Sequence, residues 1–291
     1  MITNLKNIVI SMRPKQWVKN VFIFTGLIFS RNLFQVDLLT RVSAGFILFS
    51  LAASSIYIFN DIQDIVKDRQ HPEKRKRPLA AGVLSVQTAY VVSTALAIFA
   101  LGAGYFLDKT FFAILAAYIV MNIAYTLKIK DMVILDVMFI SFGFVIRVLA
   151  GTELAAVRPS DWLIICTITI SLFLGFSKRR HELVLIGNNA NNHRKVLTHY
   201  SIPFLDQMIA VATACTVMSY ALYTISAETV SRFGTRNLVF TIPFVLYGIY
   251  RYFYLIHQKE KGGNPTSAVL TDLPLFVDGI LWLIAVILII Y

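Results

Sequence analysis

The feature that most constrains this chain is a series of long segments without a single charged residue. Residues 42–60, 78–107 and 207–227 contain no Asp, Glu, Lys or Arg, and a helix that crosses a bilayer needs about 20 mainly apolar residues. The composition agrees, because 57% of the 291 residues are hydrophobic, 15% are charged and the mean hydropathy is +0.68. A water-soluble domain is excluded, and an all-α polytopic membrane protein is predicted.

The apolar runs predict nine transmembrane helices within a single domain over residues 1–291. Each run is bounded by charged or turn residues. The predicted spans cover roughly 17–34, 39–60, 83–107, 110–128, 132–151, 160–178, 204–226, 236–257 and 273–291.

The distribution of Lys and Arg predicts the orientation of these helices. Counted over alternate connections, 20 of the 27 basic residues lie on the side of the N-terminus, 6 lie on the other side, and Arg147 falls inside a span. Positively charged connections stay cytoplasmic. We therefore expect a cell (inner) membrane protein with a cytoplasmic N-terminus and active site and with the C-terminus on the opposite side. The same distribution explains the net charge of +11 without a nucleic-acid partner.

An acidic segment stands at the cytoplasmic end of the second predicted span, with Asn60, Asp61, Asp64 and Asp68. If the helix continues through it, Asn60, Asp64 and Asp68 recur every four residues, and their oxygen atoms line one face. Such donors suit Mg²⁺, which uses one or two carboxylates and completes its shell with substrate phosphates. The alternative is a solvated acidic helix end that the following basic residues neutralise.

Four consecutive cations follow the acidic segment. Beside a metal-bound diphosphate they would bind phosphate oxygens, to which Arg gives bidentate contacts. The alternative is a topology signal or an attraction to anionic lipid. The residues are Lys74, Arg75, Lys76 and Arg77.

Further polar residues near the span ends or inside the spans are candidate substrate contacts. Asp136 and Arg147 are eleven residues apart, so on one helix they share a face but lie about 16 Å apart and cannot pair; helix packing is the alternative role. Lys15 and Lys19 are expected to share a helix face beside Trp17, with snorkelling anchors as the alternative. The full set is Lys15, Lys19, Tyr125, Lys128, Asp136, Arg147, Lys178, Arg179, Arg180 and Glu182.

The pattern N-D-x-x-D-x-x-x-D from Asn60 to Asp68 resembles the first signature of the UbiA superfamily of intramembrane prenyltransferases. Residues 13–20, 71–82, 125–136 and 178–182 resemble the branch that joins a polyprenyl phosphate to 5-phosphoribosyl 1-diphosphate. The resemblance implies nine helices around a central cavity that opens to the cytoplasm, with Mg²⁺ as cofactor and the three aspartates in catalysis. It also implies a step toward a lipid-linked pentose donor for cell-wall polysaccharide, and it leaves a homo-oligomer open.

One departure from the family pattern favours the phosphoribosyl branch. Members that prenylate aromatic acceptors carry a second D-x-x-x-D motif after the sixth helix, where this chain has Lys178, Arg179, Arg180 and Glu182. One acidic cluster with several cations fits one metal-bound diphosphate and two further phosphates. A conventional prenyltransferase is the alternative enzyme, and a transporter gated by the intramembrane charges is the alternative of another class.

The expected reaction needs no protein base. A phosphate monoester has a second pKa of about 6 and is ionised near neutral pH, so the lipid phosphate is itself the nucleophile. Lys15 and Lys19 would meet the lipid phosphate. The ribose 5-phosphate and diphosphate charge would be shared by Lys74, Arg75, Arg77, Lys178, Arg179 and Arg180.

Overall fold

The computed structural model describes residues 2–70, 73–186, 195–258 and 265–291, and within these ranges the chain forms helices and no strand. The α-helices are α1 (Ile2–Met12), α2 (Thr25–Ile28), α3 (Val36–Gln63), α4 (Ile65–Gln70), α5 (Val86–Leu107), α6 (Lys109–Leu127), α7 (Leu135–Leu154), α8 (Asp161–Ile186), α9 (Ile202–Ile225), α10 (Ala227–Phe233), α11 (Ile242–Gln258), α12 (Pro265–Thr271) and α13 (Leu273–Ile290). Shorter 3₁₀ segments are Pro14–Phe24, Lys74–Lys76, Ile129–Asp131, Lys195–His199 and Asn237–Thr241.

Eight helical segments in the described ranges are long and apolar enough to cross a membrane, which confirms the prediction of an all-α membrane protein. They are Val36–Gln63, Val86–Leu107, Lys109–Leu127, Leu135–Leu154, Asp161–Leu185, Ile202–Ile225, Asn237–Gln258 and Leu273–Ile290. The predicted first span at 17–34 instead forms the 3₁₀ segment Pro14–Phe24 and the short helix α2. The count of nine therefore stays a prediction.

The described chain divides into two compact units. The first is built from Met1–Phe139 and Ile146–Arg158, and thus contains α1 to α6 and both ends of α7. The second is built from Ile140–Val145, Pro159–Gly187 and Leu197–Tyr291, which contain α8 to α13.

Helix α3 is the centre of the first unit and packs against α1, α5, α6 and the 3₁₀ segment. Small residues along α3 let these neighbours approach closely, as is common where helices meet in membranes. Ser93 of α5 donates a hydrogen bond to the Ser55 carbonyl at 2.8 Å, and Gly45 lies against Leu154 of α7. The core around them is apolar, with Phe49, Phe111, Leu115 and Leu154 fully buried.

In the second unit α8 packs along α9, and α11 packs against α13. The Tyr220 hydroxyl joins three elements, because it accepts a hydrogen bond from Trp282 Nε1 at 2.9 Å and lies 2.6 Å from Thr241 Oγ1. This unit carries the basic segment of Lys178, Arg179 and Arg180, which lies inside the C-terminal half of α8.

Candidate functional site

The acidic segment lies at the junction where α3 ends and α4 begins. Helix α3 ends at Gln63, Asp64 is its C-cap residue with φ −103°, and α4 begins at Ile65. The helix therefore does not continue unbroken, and the expected single face of oxygen ligands does not form. The break instead directs Asp61 and Asp68 to a shared partner and Asp64 to a different one.

Arg77 is the partner that Asp61 and Asp68 share. Its Nη1 atom donates to Asp61 Oδ1 at 3.0 Å and to Asp68 Oδ2 at 2.6 Å. The two acids are 2% and 4% exposed, and a buried carboxylate needs a paired charge and hydrogen bonds. Arg77 follows the 3₁₀ turn Lys74–Lys76, so the turn after α4 brings the guanidinium back to the acids.

Arg13 is a second cation at this site, although it was absent from the candidate set. It hydrogen-bonds to the same Oδ1 atom of Asp61, and its guanidinium stands 5.3 Å from the centroid of the Tyr57 ring. Burial lowers the pKa of the Arg13 guanidinium below its ordinary value, and the Asp61 carboxylate opposes that shift. The backbone of Arg13 is left-handed with φ 54°, an uncommon conformation that clusters at functional sites.

Residues at the end of α6 and in the turn after it bind the other two polar residues of the acidic segment, Asn60 and Asp64. Thr126 donates to the Asn60 side chain, and Lys130 Nζ donates to Asp64 Oδ1 at 2.7 Å. Lys128, a predicted substrate contact in this stretch, is exposed at the C-cap of α6, whereas Lys130 makes the contact with Asp64. Tyr125, one residue before Thr126, is half-buried.

The four predicted metal ligands thus form two groups. Within the ranges that the structure describes, no three Asp, Glu, His or Cys residues converge on one point. Asp61 and Asp68 nevertheless share a single cationic nitrogen between them, so a cation already holds the two carboxylates together. A pair of hard oxygen donors fits Mg²⁺ whose remaining ligands come from substrate phosphates. The donor set is compatible with the metal, and the four-ligand assignment stays a prediction.

The other basic candidates of this unit differ in exposure. Lys74 is half-buried and Arg75 is exposed. Lys15 is exposed and Lys19 half-buried, and both lie in the 3₁₀ segment Pro14–Phe24. The expectation that they share a face is wrong, because at three residues per turn positions i and i+4 point roughly 120° apart.

Arg147 is buried in the first unit and does not pair with Asp136, as expected from their separation. Its Nε donates to Asn20 Oδ1 at 2.7 Å and its Nη2 donates to the Tyr118 hydroxyl at 3.0 Å. The guanidinium also lies 4.9 Å from the Tyr118 ring centroid and 5.3 Å from that of Phe49. Asp136 is fully buried near the start of α7. Both residues are buried, as helix packing requires, and their contact with substrate stays a prediction.

In the second unit the basic segment forms ion pairs. Arg179 is 0% exposed and donates to Glu182 Oε2 at 2.6 Å, and Lys178 Nζ lies 3.8 Å from Glu182 Oε1. Arg180 Nε donates to Asp206 Oδ1 of α9 at 2.5 Å. Each arginine thus has a carboxylate partner, and their predicted contacts with substrate phosphates stay a prediction.

Comparison with known proteins identifies the family. The model of the UbiA prenyltransferase family matches residues 20–271, a range that includes residues of both units. The decaprenyl-phosphate phosphoribosyltransferase of Corynebacterium glutamicum is 31% identical over 97% of this chain and 86% of its own length. The protein of that name from Mycobacterium tuberculosis is 30% identical over 96% of this chain and 92% of its own length.

A solved structure has the same fold. A UbiA homologue from Archaeoglobus fulgidus, bound to GPP and Mg²⁺, superposes with a TM-score of 0.76 at 16% sequence identity, over 98% of this chain and 99% of that one. The family match covers most of the chain, and the structural likeness extends over nearly all of it. The chain therefore belongs to the UbiA prenyltransferase family and is a multi-pass membrane transferase.

Proposed function

We propose that this protein transfers the 5-phosphoribosyl group from 5-phosphoribosyl 1-diphosphate to a polyprenyl phosphate and releases diphosphate. The observation that carries the proposal is the extent of the similarity to the two decaprenyl-phosphate phosphoribosyltransferases, which covers 96–97% of the chain. Similarity of that extent includes both the acidic segment at the junction of α3 and α4 and the basic segment in the C-terminal half of α8. Family membership also argues against the transporter alternative.

The acidic and basic segments of the chain, each taken by itself, support this donor. Around Asp61 and Asp68 the structure has one buried carboxylate pair with two guanidinium groups, and the segment after the sixth predicted span has Lys178, Arg179 and Arg180 instead of a second acidic motif. A sugar that carries both a diphosphate and a 5-phosphate presents more anionic oxygens than a prenyl diphosphate does. A chain with one acidic segment, and with basic residues where a second acidic motif would stand, therefore favours the phosphoribosyl donor over the conventional prenyl donor.

Asp61 and Asp68 would hold the metal, with Asp64 and Asn60 at its periphery. When bound, Mg²⁺ would neutralise the diphosphate and make it a better leaving group. Mg²⁺ beside GPP in the Archaeoglobus structure supports a divalent cation. Arg77 and Arg13 hold the two carboxylates in place through ion pairs, and a guanidinium can exchange a carboxylate for two oxygens of a phosphate.

The acceptor lipid supplies its own nucleophile. Its phosphate monoester is already ionised near neutral pH, so the protein need only orient it and exclude water. An oxygen that attacks C1 opposite the leaving diphosphate inverts that carbon from α to β. The uneven distribution of Lys and Arg supports a cytoplasmic site in the inner membrane, and the product would be a step toward a lipid-linked pentose donor for cell-wall polysaccharide.

The test incubates the purified protein with Mg²⁺, ribose-labelled 5-phosphoribosyl 1-diphosphate and decaprenyl phosphate. Label that enters the organic phase supports the proposal. A matched incubation contains a prenyl diphosphate and 4-hydroxybenzoate. A prenylated aromatic product, with no label transferred to lipid in the first incubation, overturns the phosphoribosyl assignment and favours the conventional prenyltransferase.

A further inference from the structure

The 3₁₀ segment Pro14–Phe24 buries one row of residues that are spaced by three. Asn20 and Ile23 are buried, and Trp17, three residues before Asn20, is half-buried. A 3₁₀ helix has three residues per turn, so these side chains stand directly above one another. The buried row is therefore a consequence of the 3₁₀ geometry.

The residues of this row are spaced along their helix axis by the same distance as their partners, which are four residues apart on α3. Trp17 Nε1 donates to Ser54 Oγ at 3.0 Å, and Asn20 Nδ2 donates to Ser50 Oγ at 2.9 Å. Three residues of 3₁₀ helix rise about 6 Å, and four residues of α-helix also rise about 6 Å. The two elements run antiparallel, and each turn of one meets one turn of the other.

Helix α7 also contacts this row of residues. Arg147 donates to Asn20, and one turn later Gly151 lies so close to Ile23 that a Cβ there would stand 1.8 Å from the Ile23 carbonyl oxygen. The steps are again four residues on α7 and three on the 3₁₀ segment. Asn20 is the common point, because it bonds to both Ser50 and Arg147.

The segment begins directly after Arg13, the residue that contacts Asp61. Ser54 fixes this junction as well, since its hydroxyl lies 3.0 Å from the Met12 carbonyl oxygen. A shift of the segment along α3 would therefore move the Arg13 guanidinium relative to the Asp61 carboxylate. Fixing the register of the segment fixes the geometry of the candidate site.

We infer that Arg147 is a positioning residue, which acts through Asn20 on the register of the 3₁₀ segment and thereby on the contact between Arg13 and Asp61. This role replaces the substrate contact that the sequence suggested for Arg147. The inference deepens the proposed function and rests on it only for its kinetic readout, because the register itself can be measured without any reaction.

The structural readout is the fluorescence of Trp17 in a Trp162→Phe/Trp282→Phe background. Arg147→Gln and Asn20→Leu should release the indole from Ser54 and shift its emission to the red. Asn20→Asp keeps an acceptor for both Arg147 and the Ser50 hydroxyl and should leave the emission unchanged. The matched control is Arg41→Gln, since Arg41 pairs with Asp108 in the same unit and lies outside the site. Unchanged Trp17 emission in Arg147→Gln and Asn20→Leu overturns the inference, whatever the activity.

The kinetic readout is a double-mutant cycle with Arg13→Gln. A misplacement of about 1 Å can cost about 100-fold in rate, so Arg147→Gln and Arg13→Gln should each lower kcat/KM for the sugar donor at least about tenfold. The double variant should be no worse than the poorer single variant, because both act on one contact. Losses that multiply overturn the positioning role. If Trp17 responds as expected and the wild-type protein transfers no phosphoribosyl group, the proposed function fails and the inference about the register stands.

Discussion

The Arg77 guanidinium lies 2.6 Å from the Asp68 carboxylate, nine residues back along the chain. One ion pair thus joins the end of the acidic segment to the end of the basic one, two features that are separate in the sequence. Because Asp61 accepts from the same nitrogen, the positive charge stands between two buried acids. The ion pairs offset the burial of the two acids, and a metal ion bound here would interact with the same two side chains.

Replacing Asp68 by Asn should abolish phosphoribosyl transfer while the protein stays folded in detergent. The amide keeps the size of the carboxylate but loses the charge that a divalent cation requires. The measurement is label in the organic phase, with gel filtration to show that the variant is folded. Asp37→Asn is the control, since Asp37 is an exposed acid in the first turn of α3 and should retain activity. Near wild-type turnover by a folded Asp68→Asn protein would contradict the metal site.

Removing the shared cation should make the protein depend on Mg²⁺ for stability. Arg77→Gln leaves two buried carboxylates short of one partner, and breaking a buried pair costs about 3–5 kcal/mol. We expect a lower melting temperature in EDTA and a larger rise on adding Mg²⁺ than in the wild-type protein, because an ion that binds only the folded state stabilises it. Equal responses of the two proteins to Mg²⁺ would show that Asp61 and Asp68 do not bind it.

Variants of Arg180 and of its partner Asp206 distinguish a substrate-binding role of Arg180 from a purely structural one. If Arg180 meets a substrate phosphate, Arg180→Ala should lose about 1.5–3 kcal/mol of charged hydrogen bonding, which is about a 10- to 150-fold rise in KM for the sugar donor. Asp206→Asn breaks the same ion pair and should change KM little. Similar kinetics for the two variants would mean that Arg180 serves only the ion pair with α9.

The configuration of the product tests a single displacement. Attack of the lipid phosphate opposite the diphosphate should give a β-linked ribosyl lipid from the α-configured donor. NMR of the purified lipid product measures the configuration directly. An α-linked product would require two displacements and therefore a covalent intermediate.

Gly151 should be a sensitive position for stability. A Cβ there would stand 1.8 Å from a backbone oxygen, which cannot move aside as a flexible side chain can. Gly151→Ala should therefore destabilise the protein by about 1–3 kcal/mol or more, seen as a lower melting temperature in detergent. Gly102 of α5 has open space around it, so Gly102→Ala should be neutral or mildly stabilising. Equal melting temperatures would contradict the close packing of α7 on the 3₁₀ segment.

The long α-helices were predictable because apolar runs of about 20 residues are a strong and simple signal. The acidic segment was also found, yet the break at Asp64 was not, since no Gly or Pro marks it. Arg13 was not predicted as a site residue, because its contact with Asp61 joins residues that are 48 positions apart in the sequence. Lys130 and Lys128 cannot be told apart by composition, and the 3₁₀ turn Ile129–Asp131 places Lys130 on Asp64. Contacts that depend on a local departure from α-helical geometry left no periodic signal.

The 3₁₀ segment also changes how much bilayer a given number of residues can cover. Its eleven residues rise about 22 Å and the four of α2 add about 6 Å, so fifteen residues extend about 28 Å, close to the ~30 Å hydrocarbon thickness. An α-helix would need about nineteen residues for the same depth. A count of residues therefore underestimates the membrane depth that Pro14–Ile28 can cover. Its rise in ångströms, and not its number of residues, should be compared with the bilayer thickness.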